Sequence, residues 1–466
     1  MKNLNKILVD KNLTIKEAMR VIYIGAIRIA IIIDDSKKLY GVVTDGDIRR
    51  GILNGKDIQD KISGVTNINP IYLSIDATNQ DILNILIKNP DIIGIPLVNK
   101  NRIVKDFVML SNDQNLIYFS KTIPPNKHLN NILVIGGAGY IGSVLIRELL
   151  SRNYKVTILD NFIYGKHSLD NINNPNLKII NGDTRHIEIV TDAASNVDAV
   201  VHLAELVGDP ICNLDPKTTQ NINYLATKLI SSICKHYQIN RFVYTSSCSV
   251  YGASANKELL TEDSQLNPVS LYARMKIESE NALLDMADNN FSPTILRLGT
   301  VFGYSPRPRF DLVVNLLTAK ALKDGKITIF GGDQWRPNIH VSDVAKAIIT
   351  VLESPIQKVA GEIFNVGSNE LNLTINQISQ KIKLHIPNFK IIINDNNDDK
   401  RNYKVDFTKI QSNLSFTTKK TIDDGIIELI NAFDNGKIAG SYKDDIYSNV
   451  NFLRNKILET KDINIS

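Results

Sequence analysis

The sequence predicts an α/β protein whose larger part is a doubly wound parallel sheet, preceded by a smaller α+β part. From Ile132 to about residue 435, short apolar strands alternate with helical segments, a pattern typical of parallel sheets. The first of these strands runs directly into three glycines, at positions 136, 139 and 142. Residues 1–120 contain a faint repeat of about sixty residues, which indicates two copies of one small unit.

Composition limits the classes of function. Of the 466 residues, 43% are hydrophobic and 22% are charged, as in ordinary globular proteins. The net charge is +5, and the basic residues form no dense run, so we expect no nucleic-acid partner. The three cysteines have no metal-binding spacing and cannot all pair, which argues against a metal site and favours the cytoplasm. No signal segment and no apolar run long enough to span a membrane is evident, so we expect no membrane contact.

Each copy of the N-terminal repeat begins with a helix-capping box. The two boxes are residues 14–17 and residues 78–81, in which a threonine precedes an acidic residue by three positions. Each predicted helix is followed by an apolar strand, at residues 29–33 and 95–98, and then by a polar turn and a second strand. The repeat is therefore expected to be β-α-β-β-α, used twice.

This repeat, with the segment Leu39-Tyr-Gly-Val-Val-Thr-Asp-Gly-Asp-Ile-Arg-Arg50, resembles a pair of CBS domains. The resemblance implies that the Thr44 hydroxyl and the Asp47 carboxylate bind the ribose of an adenine nucleotide. The second copy has Lys105-Asp-Phe-Val where this motif is expected, so one nucleotide site is predicted to be degenerate. Two interpretations stay open: the pair responds to an adenine nucleotide effector, or it serves only in assembly. A proline-containing linker at residues 121–130 follows.

The strand, glycine turn and helix that begin at Ile132 are typical of a Rossmann-type dinucleotide site. Glycines at these positions let the backbone turn tightly and approach a pyrophosphate at the helix N-terminus. Asp160 closes the next strand, where a carboxylate binds the adenosine ribose 2′-hydroxyl. Because the same carboxylate would repel a 2′-phosphate, the expected cofactor is NAD rather than NADP.

Three residues form a candidate catalytic set. Ser247 lies in Thr-Ser-Ser-Cys-Ser-Val-Tyr-Gly, and Tyr272 and Lys276 are one helical turn apart. A free tyrosine has a pKa of about 10 and is a poor base, but an ammonium at i+4 favours the phenolate and lowers that pKa. Ser247 would orient the reacting oxygen. With the glycine turn, this set indicates a nicotinamide enzyme that oxidises or reduces a carbinol.

With these motifs, residues 131–440 resemble an extended short-chain dehydrogenase/reductase of the NAD-dependent epimerase/dehydratase group. The resemblance implies that Asp183 caps the adenine. It implies NAD contacts at Gly136, Gly139, Tyr140, Ile141, Gly142, Asp160, Asn161, Asp183, Thr184, Leu203, Ala204, Tyr272 and Lys276. One position departs from the family pattern, because Glu205 stands where a small residue is usual. Whether Glu205 points away from the cofactor or serves the substrate stays open.

The C-terminal part, mainly residues 297–435, is expected to bind a nucleotide-diphosphate sugar. In the family, the arginine before Ile-His-Val contacts the diphosphate, and this arginine corresponds to Arg336. Arginine suits a diphosphate because its planar guanidinium binds two oxygens at once. Further substrate candidates are Arg401, Asn315, Arg307 and Arg309. Residues 441–466 carry no motif and are predicted to be a polar tail.

The first functional interpretation is a nucleotide-sugar 4-epimerase that oxidises C4 transiently with Tyr272 as base, as a homodimer or higher homo-oligomer. The alternative is a net C4 dehydrogenase or ketoreductase of a GDP- or UDP-sugar, such as a heptose. A third interpretation is a non-catalytic sensor of NAD or nucleotide. A 4,6-dehydratase is disfavoured, because Cys248 and Ser249 replace the Asp-Glu pair that such enzymes use as acid and base.

Overall fold

The computed structural model describes residues 4–25, 27–110, 116–119, 129–253, 259–288, 290–394 and 401–454. The chain folds as two units, residues 1–128 and residues 129–466. Most of the predicted linker, residues 121–128, lies outside the described residues. Within the described residues, no helix is long and apolar enough to cross a membrane.

The N-terminal unit contains two small sheets, one for each copy of the repeat. Its elements are β1 (Leu8–Asp10), α1 (Ile15–Gly25), β2 (Ile29–Ile33), β3 (Leu39–Thr44), α2 (Asp45–Leu53), β4 (Leu73–Ser74), α3 (Asn79–Lys88), β5 (Ile95–Val98), β6 (Val104–Leu110) and β7 (Leu116–Tyr118). The sheet orders are β1-β2-β3 and β4-β5-β6-β7. The predicted repeat is present, except that the second copy continues into strand β7 where the first copy has helix α2.

Capping boxes begin the repeat helices as predicted. The Thr14 N–H donates to the Glu17 carboxylate at 2.8 Å, and the Glu17 N–H donates to the Thr14 hydroxyl at 3.3 Å. A reciprocal box of the same kind begins α3. The two copies share a core, because Ile31 of the first copy and Phe107 of the second belong to one buried apolar cluster. Removing such apolar surface from water stabilises the unit.

The C-terminal unit is built on a seven-stranded sheet. Its elements are β8 (Asn131–Ile135), α4 (Gly142–Ser151), β9 (Lys155–Asp160), β10 (Leu177–Asn181), α5 (Ile187–Ala194), β11 (Ala199–His202), α6 (Asp209–Leu214), α7 (Pro216–Thr219), α8 (Ala226–His236), β12 (Arg241–Ser247), β13 (Leu259–Leu260), α9 (Leu271–Asp285), β14 (Ser292–Leu298), β15 (Thr300–Phe302), α10 (Val313–Asp324), β16 (Lys326–Phe330), β17 (Trp335–His340), α11 (Val341–Glu353), β18 (Ile363–Val366), β19 (Asn372–Thr374), α12 (Ile375–His385), β20 (Lys390–Asn394), β21 (Lys404–Val405), α13 (Thr408–Leu414) and α14 (Ile422–Asp434).

The large sheet is parallel and doubly wound, as predicted. Its strand order is β10-β9-β8-β11-β12-β14-β18, so the chain starts in the middle and winds out to both edges. The order reverses between β8 and β11, and ligands of such sheets bind at this switch point, outside the carboxyl ends of the strands. Strands β8 and β11 are almost wholly buried, as expected for a sheet covered by helices on both faces.

A smaller part follows β14 and forms its own core. Three short sheets (β15-β17-β19, β16-β20 and β13-β21) pack with helices α10, α12 and α14. Phe302, Leu317, Ile378 and Ile426 belong to one buried cluster in this part. This is the region in which the sequence places the substrate.

The segment after α14 differs from the predicted polar tail. Tyr442 and Tyr447 are buried around the ring of Phe310, with ring centroids 5.9 and 5.7 Å away. The Phe310 N–H donates to the Tyr447 carbonyl at 2.8 Å. Residues 441–454 are therefore part of the C-terminal unit, and the boundary predicted at residue 440 is too early. Polar residues outnumber apolar ones in this segment, so its composition does not mark it as part of a core.

Candidate active site

The three glycines after β8 form the tight turn that the sequence predicts. Gly136 has a φ of +86°, and a Cβ there would lie 2.7 Å from the Ala204 nitrogen. A Cβ on Gly142 would overlap the Gly136 carbonyl, so helix α4 can pack against the strand only with glycine at this position. At Gly139 the nearest atom to a Cβ would be that carbonyl, at 3.3 Å. The turn thus opens at Gly139 toward a cavity of about 880 Å³.

This cavity gathers the predicted cofactor residues along the carboxyl edge of the sheet. Its lining includes Gly136, Gly139, Tyr140, Ile141, Gly142, Asp160, Asn161, Asp183, Thr184, Leu203, Ala204, Tyr272 and Lys276. The residues come from the ends of β8, β9, β10 and β11 and from helix α9. The arrangement suits a dinucleotide whose pyrophosphate lies at the N-terminus of α4.

Asp160 is fixed at the end of β9. Its carboxylate accepts the N–H groups of Ala138 at 2.9 Å and Phe162 at 2.8 Å. Burial raises the pKa of Asp160, and these two donors oppose that effect. The carboxylate oxygens keep further lone pairs for ribose hydroxyls, so the residue fits NAD as the sequence predicts.

Asp183 and Tyr140 have additional partners inside the protein. An ion pair with Arg185 at 2.7 Å fixes Asp183 and holds the pKa of its carboxyl below the usual range. The Tyr140 hydroxyl donates to the Gly303 carbonyl at 2.6 Å, which ties the glycine turn to the substrate part.

Ser247, Tyr272 and Lys276 come together at the carboxyl end of β12. Ser247 is the last residue of β12, and its hydroxyl accepts the Ser249 N–H at 3.1 Å. Ser270 caps helix α9, which places Tyr272 in the first turn and Lys276 one turn later. The Ser247 side chain acts to lower the pKa of Tyr272, and the Lys276 Nζ lies 5.7 Å from the centroid of the Tyr272 ring.

The question left open at Glu205 is answered by its contacts. Glu205 Oε2 lies 2.6 Å from the Lys276 Nζ, and the exposed fractions of the two side chains are 2% and 5%. Glu205 Oε1 accepts the Tyr244 hydroxyl at 2.6 Å. The carboxylate therefore points toward Lys276. The spacing of the sequence gives no sign of this pair, because its members lie on neighbouring elements far apart along the chain.

The ionisation of Tyr272 differs from the prediction. Lys276 was expected to lower the pKa of the phenol, but in the structure that pKa is raised well above its ordinary value. Burial is the largest cause, followed by the negative charge of Glu205, while the Ser247 hydrogen bond and the Arg309 charge act in the opposite direction. The paired carboxylate offsets the ammonium on which the prediction relied.

Four predicted substrate arginines lie on the cavity. The Arg336 Nη1 donates to the Arg401 carbonyl at 2.5 Å, and the Arg401 guanidinium lies 3.3 Å from Asp209. The side chain of Arg309 makes an ion pair with Asp311 at 2.9 Å. The guanidinium of Arg307 lies 4.2 Å from the Tyr164 ring centroid and donates to Asn449.

Asn449 and Ser249 are cavity residues that the sequence did not identify as binding groups. Asn449 belongs to the segment predicted to be a tail, and it partners Arg307 within the cavity lining. From the sequence, Ser249 is recognised only as a residue that replaces a dehydratase carboxylate. Its hydroxyl is buried and, within the described residues, has no hydrogen-bond partner, so it is available to a ligand. Cys248 instead turns inward, with its Sγ 3.3 Å from the Arg297 carbonyl.

The prediction for Asn315 is not supported. This residue is buried and does not line the cavity. Its amide accepts the Gly303 N–H at 3.0 Å and donates to the Arg309 carbonyl at 2.9 Å. Asn315 therefore holds the loop that carries Arg307 and Arg309 and is not placed to contact substrate.

In the N-terminal unit, Thr44 and Asp47 lie together at the start of α2. The Thr44 hydroxyl and backbone N–H both approach Asp47 Oδ2, at 2.6 and 2.8 Å, as a reciprocal capping box. The other oxygen of Asp47 pairs with Arg50 at 2.6 Å. The motif has a structural use in capping the helix, and its use in nucleotide binding stays a prediction.

Comparison with known proteins agrees with this geometry. A model of the NAD dependent epimerase/dehydratase family matches residues 132–367, slightly more than half of the chain, and a CBS domain model matches residues 3–54. The chain is 31% identical over 279 residues to a UDP-glucose 4-epimerase of Lactobacillus helveticus, covering 54% of this chain and 81% of that protein.

Solved structures resemble the C-terminal unit. UDP-glucose 4-epimerase of Thermotoga maritima, solved with UDP-glucose, has a TM-score of 0.60 and 26% identity, covering 66% of this chain and 99% of that one. UDP-glucuronic acid 4-epimerase of Bacillus cereus, solved with UDP-glucuronic acid and NAD, has a TM-score of 0.59 and 25% identity, with coverage of 66% and 99%.

Proposed function

Because the chain belongs to the NAD-dependent epimerase/dehydratase family, and is thus an NAD-dependent enzyme, we propose that it is a nucleotide-sugar 4-epimerase. The observation that carries the proposal is one cavity that joins the glycine turn, the set of Ser247, Tyr272 and Lys276, and the arginines at 336 and 401. A 4-epimerase needs these three parts: a cofactor site, a proton-transfer group and a diphosphate clamp. The named 4-epimerases among the similar proteins support the same assignment.

The protein itself has to move one proton and fix the geometry of the sugar. NAD, when bound, accepts a hydride from the sugar carbon and returns it. In its ionised form, the phenolate oxygen of Tyr272 takes the proton of the C4 hydroxyl, becomes a phenol, and later gives the proton back. Ser247, which borders the same cavity as Tyr272, can hold the same sugar oxygen in line.

Anchoring the substrate by its diphosphate explains how both faces of the sugar become accessible. Arg336 and Arg401 supply positive charge on one part of the cavity lining, where they suit the two phosphates. A sugar held at this end is free to turn about its link to the diphosphate. Turning the ring after C4 is oxidised is what distinguishes epimerisation from a simple oxidation.

Among the residues that the structure describes, the two positions that carry the acid–base pair in dehydratases hold no carboxylate. Cys248 and Ser249 occupy the positions of the dehydratase carboxylates. The carboxylate of Glu205 borders the cavity but is engaged by Lys276. This favours epimerisation over 4,6-dehydration.

The test is to extract the cofactor of the purified protein and then supply UDP-, GDP-, CDP- and dTDP-linked sugars. We expect copurified NAD and a C4 epimer of one sugar, without lasting accumulation of reduced cofactor. Tyr272→Phe should remove turnover and leave bound NAD in place. A persistent reduced-nicotinamide band with a keto-sugar product would contradict the proposal and indicate a net dehydrogenase.

We also propose that the N-terminal unit binds an adenine nucleotide at the start of α2 and thereby alters the rate or the assembly of the enzyme. The half-buried Thr44 and Asp47 support this, because they present a hydroxyl and a carboxylate side by side. Calorimetry of the full chain with ATP and AMP tests it. Asp47→Asn should abolish binding, whereas Asp81→Asn, at the equivalent capping position of α3, should not. The absence of any heat of binding would contradict this proposal.

A further inference from the structure

The contacts around Lys276 give the ammonium a fixed place independent of any ligand. Glu205 follows β11, and its carboxylate lies 2.6 Å from the Lys276 Nζ. The same Nζ donates to the Thr245 carbonyl at 2.5 Å and lies 4.7 Å from the centroid of the Tyr244 ring. The Tyr244 hydroxyl closes the arrangement by donating to Glu205 at 2.6 Å.

This pair is buried, which makes its net charge important. Burial raises the pKa of Glu205, and the charge and hydrogen bond of Lys276 and the Tyr244 hydrogen bond act against that rise and favour the carboxylate. Two opposite charges out of contact with water persist only as a well-formed pair, because either one alone would be poorly solvated. A lone ammonium beside a phenol would strongly favour the phenolate. An ammonium already matched by a carboxylate exerts a much smaller net field on the same phenol.

We propose that Glu205 is a positioning residue for Lys276, and that the two residues act on Tyr272 as one neutral pair rather than as a lone ammonium. The inference rests on the proposed function only in taking Tyr272 as the group that exchanges the proton. The usual small residue at this position would leave Lys276 without a carboxylate partner.

The other charges near the reacting phenol do not replace this effect. Among the described residues, the charged or titratable side chains around Tyr272 include Lys276 on its own helix and, from other elements, Glu205, Tyr244, Cys212, Arg309 and Tyr164. Arg309 is already paired with Asp311. Burial raises the pKa of the Cys212 thiol to about 12, so it is neutral. His202 faces Tyr244, and burial followed by the Lys276 charge lowers its pKa to about 3, so it is also neutral.

A neutral pair suits a reaction in which the same oxygen must take a proton and then return it. A phenol whose pKa is strongly lowered removes a proton readily but gives it back poorly. Offsetting the ammonium keeps the protonated phenol accessible for the return step. Glu205 thus favours reversible exchange at C4 over one-way oxidation.

The test compares Glu205→Gln, Glu205→Asp and Glu205→Ala in the NAD-bound enzyme. Removing the carboxylate leaves Lys276 unopposed, so the pKa of Tyr272 falls. We expect the tyrosinate absorbance that is lost in Tyr272→Phe to appear at a pH at least about one unit lower in Glu205→Gln and Glu205→Ala. The acid limb of kcat should move in the same direction, while Glu205→Asp, which keeps the charge, should titrate near the wild-type pH.

A matched control is Glu280→Gln on helix α9, the helix that also carries Tyr272 and Lys276. Glu280 is buried and pairs with Arg297 at 2.7 Å, so its loss removes a similar ion pair away from Tyr272. This variant should be less stable without any shift of the Tyr272 titration. An unshifted titration in folded Glu205→Gln or Glu205→Ala would overturn the inference, as would an equal shift in Glu280→Gln. Glu205→Ala provides the reading if the glutamine variant does not fold.

The absorbance titration needs no substrate, so it fails or succeeds separately from the proposed function. A shift in Glu205→Gln in an enzyme that epimerises none of the sugars would support the pair and contradict the 4-epimerase assignment. An active epimerase whose Tyr272 titration does not shift in Glu205→Gln would support the 4-epimerase assignment and contradict the neutral pair.

Discussion

At the residue scale, Asp160 is the side chain that most directly relates the sequence to the choice of cofactor. Its carboxylate is held by two backbone N–H groups at the end of β9 and borders the cavity. The position followed from a local rule, an acidic residue closing the second strand after the glycine turn. Its ionised form is what would reject a 2′-phosphate.

Asp160→Ala should weaken NAD binding by about tenfold or more, because hydrogen bonds to charged groups contribute roughly 1.5–3 kcal/mol. The preference for NAD over NADP should narrow at the same time. Binding of both cofactors by calorimetry measures this. Asp198→Asn is a fitting control, because Asp198 also accepts two backbone N–H groups, those of Asn130 and Asn131, but does not line the cavity. If Asp160→Ala and the wild type prefer NAD over NADP to the same extent, the role of Asp160 in rejecting the 2′-phosphate is contradicted.

Residue roles that depend on distant neighbours could not be predicted. The trio of Ser247, Tyr272 and Lys276 was found because its spacing follows from one strand end and one helical turn. The pairing of Glu205 with Lys276 requires the order of β11 and β12 and the packing of α9, which no local pattern reveals. Asn315 fails for a different reason, because its amide bonds within its own loop, to Gly303 and Arg309, instead of facing the cavity.

At the element scale, the glycine turn between β8 and α4 is the part in which the sequence was most informative. Strand, turn and helix each have local signals, and the structure has all three in the predicted order, with β8 at Asn131–Ile135 and α4 at Gly142–Ser151. Gly136→Ala should be strongly destabilising, because it adds left-handed strain of roughly 1–2 kcal/mol and forces Ala204 to move. Gly325→Ala has similar strain (φ +61°) but meets no atom within 4 Å, so it separates the two effects.

Thermal unfolding and NAD binding together measure this prediction. Gly136→Ala should lower Tm well beyond Gly325→Ala and should lose cofactor. Equal stability of the two variants would show that contact between a Cβ at position 136 and Ala204 does not destabilise the fold.

Helices α12 and α14 are joined by a charge cluster whose effect depends on pH. The Asp423 carboxylate lies 2.6 Å from Lys381 Nζ and 2.9 Å from His385 Nε2. Burial raises its pKa, but these two partners outweigh that effect and leave the pKa lowered. A lowered folded-state pKa gives stability that is present above the unfolded value of about 3.9 and is lost as pH falls through the folded value.

Asp423→Asn should therefore be less stable than wild type at neutral pH, by less than about 1 kcal/mol because the cluster is partly exposed. The difference should shrink toward zero as pH falls below about 4. Denaturant unfolding at several pH values tests it. If the stability difference between wild type and Asp423→Asn grows on acidification, the stabilising role of the ionised Asp423 is contradicted.

At the scale of the whole molecule, the two units were predicted from two independent resemblances, and the end of the second unit was not. Residues 441–454 bury Tyr442 and Tyr447 and bring Asn449 to the cavity. Removing residues 441–466 should lower Tm by several degrees, since it exposes Phe310, and should weaken substrate binding through Arg307. Ending the chain after residue 454 removes none of these contacts and serves as the control. Equal Tm and substrate affinity for the two truncations would contradict this packing.

We propose that one Tyr272-centred cavity interconverts the C4 epimers of a nucleotide sugar. The most direct measurement is proton NMR of the UDP-sugar panel incubated with wild type and with Tyr272→Phe, both carrying bound NAD. We expect wild type to convert one sugar to an equilibrium mixture of its C4 epimers and Tyr272→Phe to be slower by about 10²–10⁴-fold. Conversion at an equal rate by both proteins, or a product other than the C4 epimer, would contradict it.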